Sequence, residues 1–579
     1  MAAAPAEPPV PAEPGPMPAW PRVAVRVVAL LAIAVSFVLM FMGLGRKPFW
    51  VDEAIAVLPA RSILTEGVPR KPFDLNFMAP QLQDGLWDPS APLYRYSVAA
   101  VTAVVGFSET TTRGWSVLLG LLLLLPCYLL FRRIYDAETA LLAVAFLAAS
   151  PAFADLAREA RHFTFVACMM AFAFYFLVEA AATGSEWSRA LWPVFLTAAL
   201  LGHAMGYLAL PIVAVFLLLS RRRPLWSRRE ARVYGGLVVV YGVLLLSRRP
   251  PLWSRRHAWV YGGLVAVYGA IQFKYWNTLP FLHHVACDNQ PAGCHPDWYY
   301  YLGTLHTFLI GGPLDVVAGT VAPSGRVALA NTLLPLLLLA TGLAATAVAI
   351  RRGGDLRAGR ILVLAWLLLP LVLLSIPEVK FPRYLVYVMP PLFLLLAQGL
   401  VFMTSASALG RLRSPLRAGL ALVIVFAPQL EEKLVDGQRT TSLQSRFIAH
   451  ARETSIGGPT DNWERMRAQV SFLSQHVEAS DVVVSSLDDA SLTYYLRRFV
   501  YGFLNSQHDD EFFLGLLAQA SQERARLWFV DSLPTHNYCH TSGEDPRGID
   551  CRLKYRGFYE ACRPDSPTFN RHCVRLRFD

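Results

Sequence analysis

Residues 23–57 read VAVRVVALLAIAVSFVLMFMGLGRKPFWVDEAIAV: an apolar run over 23–44, a short basic link, and then the adjacent acids Asp52 and Glu53. A helix needs about 20 apolar residues to cross ~30 Å of hydrocarbon, so the run reads as a first membrane span. Two acids just beyond it are costly to desolvate unless they bind a cation or accept a proton. The competing reading is an ordinary solvated helix start.

Working outward, the same alternation of apolar run and polar link recurs along the 579 residues, which are 54% hydrophobic and 16% charged, with a mean hydropathy of +0.38. That balance excludes a soluble multidomain protein and makes a mostly α, polytopic membrane helical bundle the expected fold class. The net charge of +11 sits in short clusters between apolar runs rather than on one continuous face. It reads as a topogenic signal rather than a nucleic-acid surface. Residues 1–21 are rich in Ala and Pro without the apolar core of a cleavable signal, and read as a disordered cytosolic tail.

Arg22 before the first run places the N-terminus in the cytosol and the Asp52–Glu53 loop outside. The apolar stretch 91–107 is at the lower limit for crossing. Were it a span, Arg132 and Arg133 after the next run would face outward, so it reads as interfacial. Crossings then follow at 114–131, 138–152, 163–182, 189–202 and 205–219, the last ending on Arg221, Arg222 and Arg223. A local duplication comes next: PLWSRREARVYGG is followed by PLWSRRHAWVYGG, with Trp226 matching Trp253 and Tyr234 matching Tyr261. Arginines precede both copies, so 221–257 reads as a re-entrant or surface-lying insert. Runs at 258–273, 327–350, 361–376, 384–403 and 417–428 bring the total to about eleven and leave the C-terminus outside. Residues 22–428 thus form the membrane domain. Residues 429–579, polar and mixed, read as a soluble α/β domain, with VVVSSL and RLWFVDS as buried strands and EFFLGLLAQA as a helix.

Cys127 and Cys168 fall inside apolar runs, whereas Cys287, Cys294, Cys539, Cys551, Cys562 and Cys573 fall in polar stretches. In an oxidising compartment the six polar-stretch cysteines suit disulfides, such as Cys287 with Cys294 and two among the last four, of unassigned pairing.

Three further clusters fall on the outer side. In SPAFADLAREARHF a continuing helix puts Asp155 and Glu159 on one face and Arg158, Arg161 and His162 on another; local ion pairing competes with a site. In PEVKFPRYLVYVMPP, Lys380, Arg383, Tyr384 and Tyr387 form a cationic collar suited to a lipid phosphate, against a plain snorkelling anchor. His203, in LLGHAMGYLALP, is a fourth candidate against a structural role. His283, His284, His295 and Asp297 fit no common zinc spacing.

Taken in order, these elements resemble the GT-C membrane glycosyltransferases, family 39 and its relatives, the protein mannosyltransferases and aminoarabinose transferases. The resemblance spans roughly residues 23–403. It rests on Asp52–Glu53 and on SAPLYRY at 90–96 against the family's H-P-P-L-Y-Y. RGWSVLLG from Arg113 matches its R-x-x-S-x-x-x-G. Ser150–Pro151, Glu159–Ala160–Arg161, His203, Arg383–Tyr384 and Pro390 complete it. Ala91 departs from the first Pro of the P-P pair, and His162 from the residue that often follows E-A-R.

The resemblance implies a plasma (inner) membrane enzyme of the cell envelope. Such an enzyme moves a monosaccharide, hexosyl or pentosyl, from a polyprenyl-phosphate-linked donor to an acceptor hydroxyl on the outer face. It makes Asp52 the general base and Glu53 an orienting acid, with Arg161, Lys380, Arg383 and Tyr384 on the donor phosphate. Tyr94, Glu159, His162 and His203 are further site candidates. No cofactor is implied with certainty; participation of a divalent metal rests on the hard oxygens of Asp52, Glu53, Asp155 and Glu159. Lipid bilayer, lipid-linked sugar and an acceptor of protein, glycolipid or polysaccharide type are the implied partners, and nucleic acid is not. Two rivals are a lipid or sugar transporter, which would concentrate polar groups at the bilayer midplane, and a non-catalytic assembly component.

Overall fold

The structure, a computed structural model, describes residues 20–45, 48–49, 51–71, 86–87, 90–220, 326–354, 356–375, 382–405, 412, 415–424, 461–485, 489–502, 510–531 and 556–577. The duplicated insert 221–257, the expected crossing at 258–273, Lys380, His283, His284, His295, Asp297, Cys287, Cys294, Cys539 and Cys551 lie outside the described residues.

Helix α1 (Trp20–Phe41) leads to α2 (Val51–Glu66), a short hairpin of β1 (Arg70–Lys71) and β2 (Leu86–Trp87), and α3 (Pro92–Val105). Then come α4 (Glu109–Ile134), α5 (Ala137–Ala149), α6 (Pro151–Arg158), α7 (Phe163–Thr183), α8 (Glu186–Gly202), a 3₁₀ turn (Ala204–Leu208) and α9 (Ala209–Leu219). The next described elements are α10 (Arg326–Arg351), α11 (Arg357–Ser375), a 3₁₀ helix (Pro382–Tyr387), α12 (Met389–Thr404) and the short α13 (Pro415–Ile424).

Among the described residues, five helices are long and apolar enough to cross a membrane: Val23–Phe41, Glu109–Ile134, Phe163–Thr183, Leu334–Arg351 and Arg357–Ser375. The bent pair Ala137–Ala149 and Ala152–Arg158 makes a sixth if it counts as one span. The protein is therefore a multi-pass, mostly helical membrane protein. Remaining expected crossings fall on shorter helices or outside the described residues. Helix α3, with 14 residues, spans only about 21 Å and is too short to cross alone.

The break between α5 and α6 falls inside the crossing expected at 138–152. Ser150 adopts an extended conformation and its hydroxyl accepts the Phe153 amide, while Pro151 takes the first position of α6. Proline there lacks the N–H that would continue the preceding helix, and serine is a preferred cap. The two axes differ by 65°. A second break follows at Glu159, which ends α6 with extended φ and ψ of −75° and 134°. Asp155 and Glu159 therefore do not share a helical face; the chain turns at 159–162, and that turn aims Arg161 at α2.

The bundle packs α7 against α4 and α8, α5 against α1, α4 and α12, and α10 against α12. The last pair crosses at two glycines. A Cβ on Gly342 would lie 1.9 Å from the Leu395 carbonyl oxygen, and one on Gly399 equally close to that of Leu338. Only backbone without side chains permits such an approach.

Residues 461–577 form an α/β unit: α14 (Asp461–His476), β3 (Val482–Ser485), α15 (Asp489–Leu496), β4 (Tyr501–Gly502), α16 (Asp510–Gln522), β5 (Leu527–Asp531), α17 (Arg556–Ala561) and β6 (Cys573–Arg577). The sheet order is β4-β3-β5-β6, all parallel. Alternate residues feed its two faces: Val484, Leu527 and Phe529 pack with Phe513 and Phe558, whereas Val483, Trp528 and Val530 pack with Leu473 and Leu492. Both faces are covered, as parallel sheets require. A disulfide joins Cys562 to Cys573.

Candidate active site

Asp52 and Glu53 occupy the first turn of α2, where carboxylates suit the partial positive charge of a helix N-terminus. Neighbours in a helix project about 100° apart, so the two acids meet different partners. Glu53 is buried, at 1% exposure. Its Oε1 accepts from Arg113 Nε at 2.8 Å and from the Ala160 amide at 2.8 Å, and its Oε2 from Arg113 Nη2 at 2.5 Å. Arg113, one turn into α4, also donates to the carbonyls of Leu44 (2.7 Å) and Pro48 (3.0 Å) and lies over the Phe49 ring. One guanidinium thus ties the link between α1 and α2 to the bundle. The sequence reading noted Arg113 as part of a motif but assigned it no role. Sixty residues separate it from Glu53, and no local pattern reports such a pair.

Asp52 faces the other way. Its Oδ2 accepts from Arg161 Nη1 at 2.6 Å and from Arg383 Nη1 at 2.6 Å. Arg161 comes from the turn between α6 and α7 and Arg383 from the 3₁₀ helix 382–387, so elements 109 and 331 residues away meet at one oxygen. Burial pushes the Asp52 carboxyl up, but the charges and hydrogen bonds of the two arginines outweigh it and hold it below the usual carboxylate range. The Arg161 guanidinium also rests on the Phe163 ring, 4.7 Å from its centroid.

Glu159 joins this group. Burial raises its pKa to about 7, with Arg161 and Arg383 pulling it down and the charges of Glu53 and Asp52 pushing it up. Its Oε2 is buried without a hydrogen-bond partner. Tyr94 on α3 is buried, its hydroxyl 3.3 Å from Ser116 Oγ, and its ring meets His162 edge-on. His162 stacks on His203 with centroids 3.5 Å apart. Burial, then the nearness of His203 and of Arg161, keep His162 well below the ordinary histidine value and so neutral. Tyr384 follows Arg383 in the same 3₁₀ helix, half-buried. Among the expected site residues, Asp52, Glu53, Arg161, Arg383, Glu159, Tyr94, His162 and His203 are thus drawn into one connected cluster.

A divalent cation fits this donor set poorly. Asp52 and Glu53 are both already matched to guanidinium groups, and among the described residues no cluster of three or more His, Cys, Asp or Glu side chains could hold a metal. What the arrangement offers is positive charge facing a partly exposed carboxylate, a suitable receptor for a phosphate beside a proton acceptor.

Residues 89–247 match the family described as dolichyl-phosphate-mannose-protein mannosyltransferase. In fold, the chain is similar to ArnT from Cupriavidus metallidurans bound to undecaprenyl phosphate, with a TM-score of 0.51, 16% identity, and 86% of this chain and 88% of that one covered. It is also similar to the archaeal oligosaccharyltransferase AglB from Archaeoglobus fulgidus in complex with an inhibitory peptide and a dolichol-phosphate, at TM-score 0.52 and 12% identity, covering 88% of this chain and 69% of that one. No curated protein matches it by sequence. The architecture is thus of the GT-C type, and within it residues 89–247 are the segment that matches the mannosyltransferase family.

Proposed function

We propose that the protein moves a monosaccharide from a polyprenyl-phosphate donor to an acceptor hydroxyl at the outer membrane face, using the cluster around Asp52. The single observation carrying this reading is the convergence of Arg161 and Arg383 on Asp52. A phosphate entering there replaces a carboxylate as the guanidinium partner, and as the arginines turn to it the Asp52 carboxylate loses the charges that depress its basicity. Donor binding then readies the base.

In the transfer step the acceptor oxygen bonds to the anomeric carbon, its proton passes to Asp52, and the bond from that carbon to the phosphate oxygen breaks. Polyprenyl phosphate leaves with the electron pair, its growing charge met by Arg161 and Arg383. Glu53, saturated by Arg113 and the Ala160 amide, keeps α2 in register rather than meeting substrate. Lys380, outside the described residues, stays a candidate for the same phosphate. The Cys562–Cys573 disulfide supports an oxidising compartment, hence an extracytoplasmic C-terminal domain.

Proteoliposomes supplied with a polyprenyl-phosphate sugar test the reading. The wild type should release polyprenyl phosphate and Asp52→Asn should not. Donor consumption undiminished in Asp52→Asn removes the proposed base, and vectorial movement of intact donor would favour a transporter.

A further inference from the structure

The loop that presents Asp52 is held from two sides, and one of them is the C-terminal domain. Helix α15 packs against α2. Its Tyr495 hydroxyl accepts the Phe49 amide at 2.7 Å and donates to Glu109 Oε1 at 2.7 Å. Beside it, Tyr494 meets the Phe49 ring edge-on at 4.9 Å and lies within 6.0 Å of the Arg61 guanidinium on α2. Phe49 itself is fully buried. It precedes Asp52 by three residues and adjoins Pro48, whose carbonyl Arg113 holds. Glu109 and Arg113 are one turn apart on α4, so a single helical turn of the membrane domain grips this loop directly through Arg113 and indirectly through Tyr495.

We propose that Tyr495 of the C-terminal domain is a positioning residue for the Asp52 loop, so that docking of this domain sets the alignment of the reacting carboxylate. The proposal rests on the transferase reading for its catalytic part only. A phenol that accepts from a backbone amide and donates to a carboxylate fixes both its own hydroxyl and that amide, and the donation to charge makes it the stronger kind of hydrogen bond. Proximity effects fall steeply with displacement, on the order of a hundredfold in rate for ~1 Å at a reacting group. Whatever moves the C-terminal domain is thereby felt at Asp52, which offers a route from acceptor recognition by that domain to the chemistry.

Tyr495→Phe keeps the ring and its packing but removes both hydrogen bonds. In the full-length protein, hydrogen–deuterium exchange of the peptide covering residues 48–53 should quicken about tenfold or more relative to wild type, while peptides of the C-terminal sheet keep their rates. Unchanged exchange at 48–53 overturns the proposal, and so does quickening spread over the whole C-terminal domain, which marks general loosening. With undecaprenyl-phosphate mannose as donor in proteoliposomes, kcat should fall about tenfold to a hundredfold with KM within about twofold. Glu109→Gln, which still accepts from the phenol, should restore most of that rate compared with Glu109→Ala. An undiminished kcat in Tyr495→Phe, or equal loss in both Glu109 variants, also overturns it. If the wild type leaves that donor unconsumed, it is the transferase reading with this sugar that fails, and the exchange comparison still decides the positioning.

Discussion

Two carboxylates one residue apart are treated in opposite ways. The Glu53 side chain is 2% exposed and enclosed by a guanidinium that grips it with two nitrogens, plus a backbone amide. Asp52 is 24% exposed and shares one oxygen between two guanidinium groups brought from separate elements. The first arrangement is closed, with each oxygen already met inside the bundle. The second is open on one side, and its arginines can be shared with an incoming anion. The lesson is that two adjacent acids can divide by direction: Glu53 is enclosed by the bundle at the helix start, and Asp52 stays partly open between two arginines.

Removing the anchor tests the closed side and carries the largest expected effect. Arg113→Ala leaves Glu53 buried without its countercharge, and breaking a buried pair in this way costs about 3–5 kcal/mol. Thermal unfolding in detergent should show a large drop in Tm, or no folded protein recovered. A Tm equal to wild type would make the Glu53 enclosure incidental.

On the open side the same logic reverses. Asp52→Asn should lower Tm less than Arg113→Ala does, while lowering sugar transfer by roughly a hundredfold to ten-thousandfold, the range for losing a general base. Equal loss of stability in Asp52→Asn and Arg113→Ala would erase the distinction between the two acids.

Smaller effects follow at the arginines. Arg161→Ala and Arg383→Ala should each weaken binding of undecaprenyl phosphate about tenfold or more, since hydrogen bonds to charged groups contribute about 1.5–3 kcal/mol. Lysine at either position should recover only part, because it offers a point charge in place of a planar fork. Isothermal titration at fixed ionic strength reads this.

The least effect is expected at Glu159. Its pKa of about 7 in the folded protein lies above the ordinary glutamate value, so the folded state binds the extra proton. That stabilisation is present in full below about pH 4.5 and is lost as pH rises through about 7. Glu159→Gln cannot titrate, so its Tm should fall less than that of wild type between those values. Parallel Tm profiles would contradict the raised pKa.

Much of the site could be read from sequence because its residues carry signals of their own. Acids after a span, Glu159–Ala160–Arg161 after Ser150–Pro151, and basic residues on a side that usually lacks them each invite a question locally. Their mutual contacts lie 109 and 331 residues apart, and only the order of motifs hinted at them. The break at Ser150–Pro151 was written in the chain as a cap followed by a helix-opening proline, yet the apolar run through 152 masked it. Arg113 and Tyr495 were illegible as partners of the acidic loop, because an arginine opening a span and a tyrosine in a distant α/β unit look the same whether or not they reach it. Hydropathy marks apolar runs but does not separate a full span such as Glu109–Ile134 from short helices such as Met389–Thr404.

The claim that Arg161 and Arg383 are shared between Asp52 and a donor phosphate is tested most directly by titrating undecaprenyl phosphate into wild type and Asp52→Asn at one salt concentration. Competition requires the variant to bind more tightly, roughly tenfold for the loss of one charged hydrogen-bond acceptor. Affinity unchanged or weakened in Asp52→Asn would mean that the arginines serve the carboxylate alone.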